Sequence, residues 1–156
     1  MTTLVAIAML CRPSPELSAS TKGQIDLRKG TVLVVAISPT CPHALKHKPT
    51  LAKLSRAVAP TAKLVAVMQE DLGAAAAFAK KTKASFPIVG DPKGTLVSGI
   101  GAEHTLDLGI FRNGKLLGTK VGLSRTTVKS LLESAGVRAP KNLGFLPAEV
   151  VSGCSL

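Results

Sequence analysis

The 156-residue chain has no Tyr and no Trp, and only four Phe. Single-stranded nucleic acids are usually gripped by stacking their bases on aromatic rings, and four Phe that must also furnish a core leave little for that task. Acidic residues are scarce too: 9 Asp and Glu face 20 Lys and Arg, a formal charge of +11. Lys and Arg alone can contact phosphates. Here, however, the excess spreads over helices and turns, with a local concentration at Lys46, His47 and Lys48. That is a solvated basic surface suited to thiolate or acidic partners, and no nucleic-acid partner is expected. No apolar run approaches the roughly 18–20 residues of a membrane-spanning helix, so no span is expected. Cysteine occurs only at Cys11, Cys41 and Cys154. The odd number leaves at least one thiol unpaired in the monomer and argues against a disulfide framework. The spacings match no paired-CxxC zinc site.

What is present is globular: 46% apolar and 19% charged residues, in a length that suits one domain. Residues 1–14 hold the short apolar run Leu4–Leu10, followed by Cys11. This run has the length of an export-signal core, but no Lys or Arg precedes it, and Leu10 stands where a lipoprotein cleavage box wants a small residue. A buried N-terminal strand explains it equally. Exported, periplasmic or membrane-anchored placement and cytoplasmic placement therefore both stand. Residues 15–136 carry the periodic segments of a domain. Residues 137–156 are punctuated by Pro and Gly and read as a tail, packed on the domain or partly loose.

Lys22-Gly23 fits a small hairpin turn. Thr31–Ile37 is β-branched and apolar throughout, as in a strand buried on both faces. His43–Val58 repeats Leu45, Leu51, Leu54 and Val58 at helical spacing, a helix expected to be interrupted or kinked at Pro49. Lys63–Met68 is a second buried strand, and Asp71–Lys81 a helix with an acidic start and basic finish. Phe86–Val89 predicts a short strand, and Thr95–Ile100 a brief helix. Thr105–Phe111 and Leu116–Val121 form a hairpin about Asn113-Gly114. Ser124–Ala135 is a closing helix, capped by Ser124 and ended by Gly136. The order β-α-β-α-β-(α)-β-β-α implies an α/β domain, a mainly parallel sheet covered on both faces and finished by an antiparallel hairpin.

Cys41 falls where the first strand meets a helix start. Unpaired amides and the positive end of the helix dipole stabilise a thiolate there. Pro42 suits the first helical turn, and His43, Lys46, His47 and Lys48 add positive charge in the same direction. A reactive nucleophile and a small hydrophobe at a strand end are the two readings of Cys41.

These residues resemble the thioredoxin-like superfamily, and within it the redoxin and alkyl-hydroperoxide-reductase (thiol-specific antioxidant) branch. The resemblance rests on Gly30–Ile37, Ser38-Pro-Thr-Cys41-Pro-His-Ala-Leu-Lys-His-Lys-Pro49, Phe86–Gly94, Ile110–Lys115 and Val121–Ser124. It implies a thioredoxin-like fold, a central mixed sheet with helices on both faces and a β-hairpin and helix at the C-terminal end. It also implies thiol–disulfide oxidoreductase chemistry at Cys41, Pro42 and His43, with protein thiols or disulfides, or a reducing partner, as partners and no cofactor. Two positions depart from the pattern. Ala44 stands where a resolving cysteine is expected, so the motif is a degenerate Cys-Pro-His-Ala with one active-site cysteine. The loop Glu103-His104-Thr105-Leu106, which the fold would bring to the site, lacks the family's cis-proline, and Thr105 is carried as a site residue there.

Cys154 is either a resolving thiol brought by a flexible tail or an idle tail residue. Ser38 stands three residues before Cys41, where peroxiredoxin-like peroxidases place a peroxide-binding hydroxyl; Arg125 is the nearest candidate for their arginine. Cys41, His47 and His104 are an alternative metal set, on the pattern of thioredoxin-like copper-delivery factors. A catalytically silent binding domain is the remaining alternative.

Overall fold

The computed structural model describes residues 26–156, so the Lys22-Gly23 turn, the Leu4–Leu10 run and Cys11 lie outside the described residues. The elements in chain order are β1 (Thr31–Ala36), α1 (Pro42–Lys46), α2 (Lys48–Val58), β2 (Lys63–Met68) and α3 (Leu72–Thr82). There follow β3 (Ile88–Gly90), α4 (Thr95–Gly99), β4 (Leu108–Arg112), β5 (Lys115–Lys120) and α5 (Arg125–Ser134). Among the described residues the sheet has five strands, in the order β3-β2-β1-β4-β5. β1, β2 and β3 run parallel, while β4 is antiparallel to β1 and to β5.

The reason β1 contains no polar residue after Thr31 is visible in the packing, because its alternate side chains enter two different cores. Leu33 and Val35 face Leu51, Leu54 and Val58 of α2 and Val128, Leu131 and Leu132 of α5. Val32, Val34 and Ala36 face Leu96, Val97 and Ile100 at α4. A strand covered on both sides cannot alternate apolar with polar. Leu143 and Leu146, beyond α5, join the first of these cores, which pins that stretch of the tail to the domain.

Element ends follow local chemistry. Asp71 caps α3 by accepting from the Ala74 N–H, so the helix starts one residue later than the acidic run suggests. Ser124 and Thr127 form a reciprocal capping box at α5. Gly136 then takes a φ of +67° just past the helix. The expected break at Pro49 falls at His47 instead; Pro49 sits in the first turn of α2, where its missing N–H has no helical partner. The third strand begins at Ile88 rather than Phe86, whose ring is buried among the first core. Asp91 explains the Asp-Pro-Lys-Gly segment: its carboxylate accepts the N–H groups of Thr95, Leu96 and Val97 at the start of α4.

Candidate redox site

Cys41 lies between β1 and α1, 2% exposed, and is the N-cap of α1 with Pro42 as the first helical residue. Its own N–H donates to the Ser38 carbonyl and its carbonyl accepts from Ala44. Ala44 is itself buried in the first core, so the position of the motif's second cysteine is taken up by packing. The expectation of a single-cysteine site does not match the geometry: Cys41 is disulfide-bonded to Cys154, with a Cα–Cα distance of 5.8 Å across a sequence separation of 113. The Cys154 N–H also points at the Cys41 sulfur, 3.1 Å away.

Cys154 reaches this position because the end of the chain behaves as a short strand. Val151 exchanges both backbone hydrogen bonds with Leu123, at 2.8 and 3.0 Å. Two residues on, the Gly153 N–H donates to the Thr105 carbonyl and the Thr105 N–H to the Cys154 carbonyl, each at 2.8 Å. His104 bridges Ser155 in antiparallel fashion, and the Leu156 N–H donates to the Glu103 carbonyl at 3.0 Å. The segment 103–107 is in turn tied to β1, since Leu106 donates to the Ala36 carbonyl and Ala36 to that of Asp107. Leu106 is fully buried with a φ of +78°, a left-handed conformation that costs a branched side chain energy.

One carboxylate holds this arrangement. Asp107 is 3% exposed and accepts the N–H groups of Glu103 and His104 on Oδ2 and of Gly122 on Oδ1, at 2.9 to 3.0 Å. It therefore fixes both stretches that the tail pairs with, the 103–105 loop and the turn before Leu123. Sequence reading passed over Asp107 and Gly153. The signal for Asp107 was a charged residue inside the otherwise apolar Leu106–Phe111, which must find partners if buried. The signal for Gly153 was a glycine immediately before a cysteine.

The other expected residues fall at varying distance from this centre. Pro42 is exposed at the first turn of α1. His43 stacks on His47, ring centroids 6.3 Å apart, and its Nδ1 is buried without a hydrogen-bond partner among the described residues. Thr105 Oγ1 is buried in the same condition. The Ser38 hydroxyl is engaged with that of Thr40 at 3.1 Å. Arg125 lines a surface groove with Lys129, Glu133 and Arg138. The alternative metal set is not assembled: among the described residues no group of three or more His, Cys, Asp or Glu is placed to hold a metal ion. Cys41 is spent on the disulfide, and His104 Nδ1 lies 3.8 Å from Asp107 Oδ2.

His47, at the joint between α1 and α2, has a pKa below the ordinary 6.5, because burial penalises the imidazolium and Lys46 and His43 repel it. Between the lowered value and 6.5 the unfolded chain binds more protons than the folded one. Stability should thus be fully present above 6.5 and decline as the pH falls through the lowered pKa. His47→Gln should flatten that acid-side decline in urea titrations run at pH 7.5 and 5; an unchanged slope would assign it to other groups.

An open sheet of parallel β3-β2-β1 joined to an antiparallel hairpin, with a cysteine opening the first helix, is a thioredoxin-like fold. Solved structures of that fold match the chain. The pneumococcal exposed lipoprotein thioredoxin Etrx1 from Streptococcus pneumoniae strain TIGR4 is 16% identical, with a TM-score of 0.59 over 69% of this chain and 87% of its own. StoA from Bacillus subtilis is 25% identical, with a TM-score of 0.52 over 69% of this chain and 84% of its own. A thioredoxin-like protein solved in its oxidised form is 18% identical, with a TM-score of 0.57 over 74% and 88%. No protein-family model matches the sequence, and no curated protein matches it. Among the described residues no helix is long and apolar enough to cross a membrane.

Proposed function

We propose that this protein is a thiol–disulfide oxidoreductase in which Cys41 is the attacking thiol and Cys154, carried by the C-terminal tail, is the resolving thiol. The observation that carries the reading is the Cys41–Cys154 disulfide itself, at the end of β1 and seated by backbone pairing. The Cys41 thiolate attacks one sulfur of a partner disulfide. A Cys41–partner bond forms, and the partner's other sulfur leaves as a thiolate. The Cys154 thiolate then attacks Cys41 Sγ, forming the intramolecular disulfide and expelling the partner's second thiolate. The partner has gained two electrons and the protein has lost them; a dithiol or thiol reductant returns them. In the oxidised protein Cys41 is buried while Cys154 is exposed, so the incoming reductant meets the Cys154 side and Cys41 is the leaving group.

The experiment is turnover of a protein disulfide by the full chain, with dithiothreitol as terminal reductant. Cys41→Ser should abolish turnover. Cys154→Ser should slow it at least tenfold and accumulate a mixed disulfide on Cys41, visible as an added mass that reductant removes. Full turnover by Cys154→Ser with no accumulated adduct would overturn the role of the tail, and full turnover by Cys41→Ser would overturn the reading as a whole.

A further inference from the structure

The contact between Gly153 and Thr105 is tighter than any side chain at position 153 permits. A Cβ built on Gly153 would stand 2.8 Å from Thr105 Cβ, 3.1 Å from its Cγ2 and 3.1 Å from its carbonyl oxygen. The obstacle does not yield. Thr105 is fully buried, and the clashing atom is the root of a β-branched side chain rather than the end of a flexible one. Glycine is not needed at 153 for its backbone, since Gly153 is not among the glycines with positive φ. It is needed for space. The backbone bonds that seat the tail, Gly153 N–H to Thr105 carbonyl and Thr105 N–H to Cys154 carbonyl, fix the spacing at which that clash would occur. By contrast Cys154 and Ser155 are exposed and Leu156 half-buried, so the residues that follow position 153 are less enclosed than Thr105, which Gly153 meets.

We infer that Thr105 is a specificity-determining residue: the polypeptide joined to Cys41 in this register must carry glycine immediately before its cysteine. The chain's own Gly153-Cys154 is the resident example. An extended partner segment containing Gly-Cys is the external ligand class, and it forms the same two backbone bonds to Thr105 after the reduced tail has left. This rests on the exchange chemistry proposed above for Cys41. The tail and the partner compete for one edge, so closure of the Cys41–Cys154 bond also displaces the partner's strand.

The test has an intramolecular and an intermolecular arm, both in the full chain. In a β-mercaptoethanol redox buffer, Gly153→Ala should lower the effective molarity of the Cys41–Cys154 disulfide at least tenfold. Thr105→Gly should restore most of the loss in the double variant, because it removes both Cβ and Cγ2. Equal effective molarities for Gly153→Ala and the parent, or no rescue in a folded double variant, would overturn the inference. Should Thr105→Gly fail to fold, the second arm decides. Cys154→Ser is offered the peptides Val-Ser-Gly-Cys-Ser-Leu and Val-Ser-Ala-Cys-Ser-Leu, each as its mixed disulfide with β-mercaptoethanol. The Cys41 thiolate attacks the peptide sulfur and releases mercaptoethanol. The glycine peptide should be captured at least tenfold faster, whereas equal rates overturn the inference alone. Hydroxyethyl disulfide, which has no strand to pair, is the control: failure of Cys41 to react even with it would overturn the exchange reading and this inference with it.

Discussion

The reduced protein should unfold at distinctly lower urea concentration than the oxidised one, by about 3–5 kcal/mol in extrapolated stability. The disulfide closes a loop with a sequence separation of 113. Loop-closure entropy for that length gives about 4.8 kcal/mol at 25 °C as the constraint removed from the unfolded ensemble. A compact unfolded state and any tail freedom regained in the reduced native state trim the figure. For a domain of this size the difference corresponds to a melting shift of roughly 10–15 °C. Cys154→Ser should melt where the reduced parent melts and ignore reductant. Coincident oxidised and reduced curves, with the bond verified by peptide mass mapping, would show that the bridge constrains neither state.

The elements of the domain were legible in the sequence because each is governed by contacts along the chain. The unbroken apolar run of β1, the N-cap at Ser124 and the Asn113-Gly114 turn are local signals, and each lies where it was read. The boundaries that moved did so for reasons outside the local pattern. His47 rather than Pro49 breaks the helix, and Phe86 is drawn into the core ahead of the strand that follows it. At the site, Cys41 was legible because strand, turn and helix start coincide within a few residues. Its bond to Cys154 was legible only as one of two readings of that residue, since sequence alone does not decide which of three cysteines meet. That meeting depends on Leu143 and Leu146 anchoring the tail, on Val151 pairing with Leu123, and on a loop whose own shape is set from elsewhere. Gly153 is a further local trace of the arrangement, and its meaning appears only when Thr105 is placed against it.

Replacing Asp107 should do the greatest damage to the site for a single polar change. Its carboxylate accepts three backbone N–H groups, from Glu103, His104 and Gly122, while itself buried. Removing it leaves three donors to be desolvated without a partner, at about 1–3 kcal/mol each before relaxation or entry of water. Asp107→Ala is therefore expected to lose roughly 3–5 kcal/mol, at the upper end of what single substitutions do. Asp107→Asn keeps the volume but turns one acceptor into a donor facing a donor, so about 2–3 kcal/mol is expected. The distribution of the damage matters more than its size. The Glu103 and His104 bonds hold the loop in which Leu106 is kept at positive φ, and the Gly122 bond holds the turn that presents Leu123 to Val151. Gly122 itself has a φ of +71° and lies so close to Val150 and Val151 that a Cβ there would meet them at 2.6 to 2.8 Å. Both docking points of the tail thus depend on one side chain that never touches the tail's cysteine. If this is the role of Asp107, then Asp107→Asn, once shown to be folded, should lower the effective molarity of the Cys41–Cys154 disulfide as well as stability. A variant that lost stability but closed its disulfide as readily as the parent would make Asp107 a core residue only, with the tail positioned by other groups.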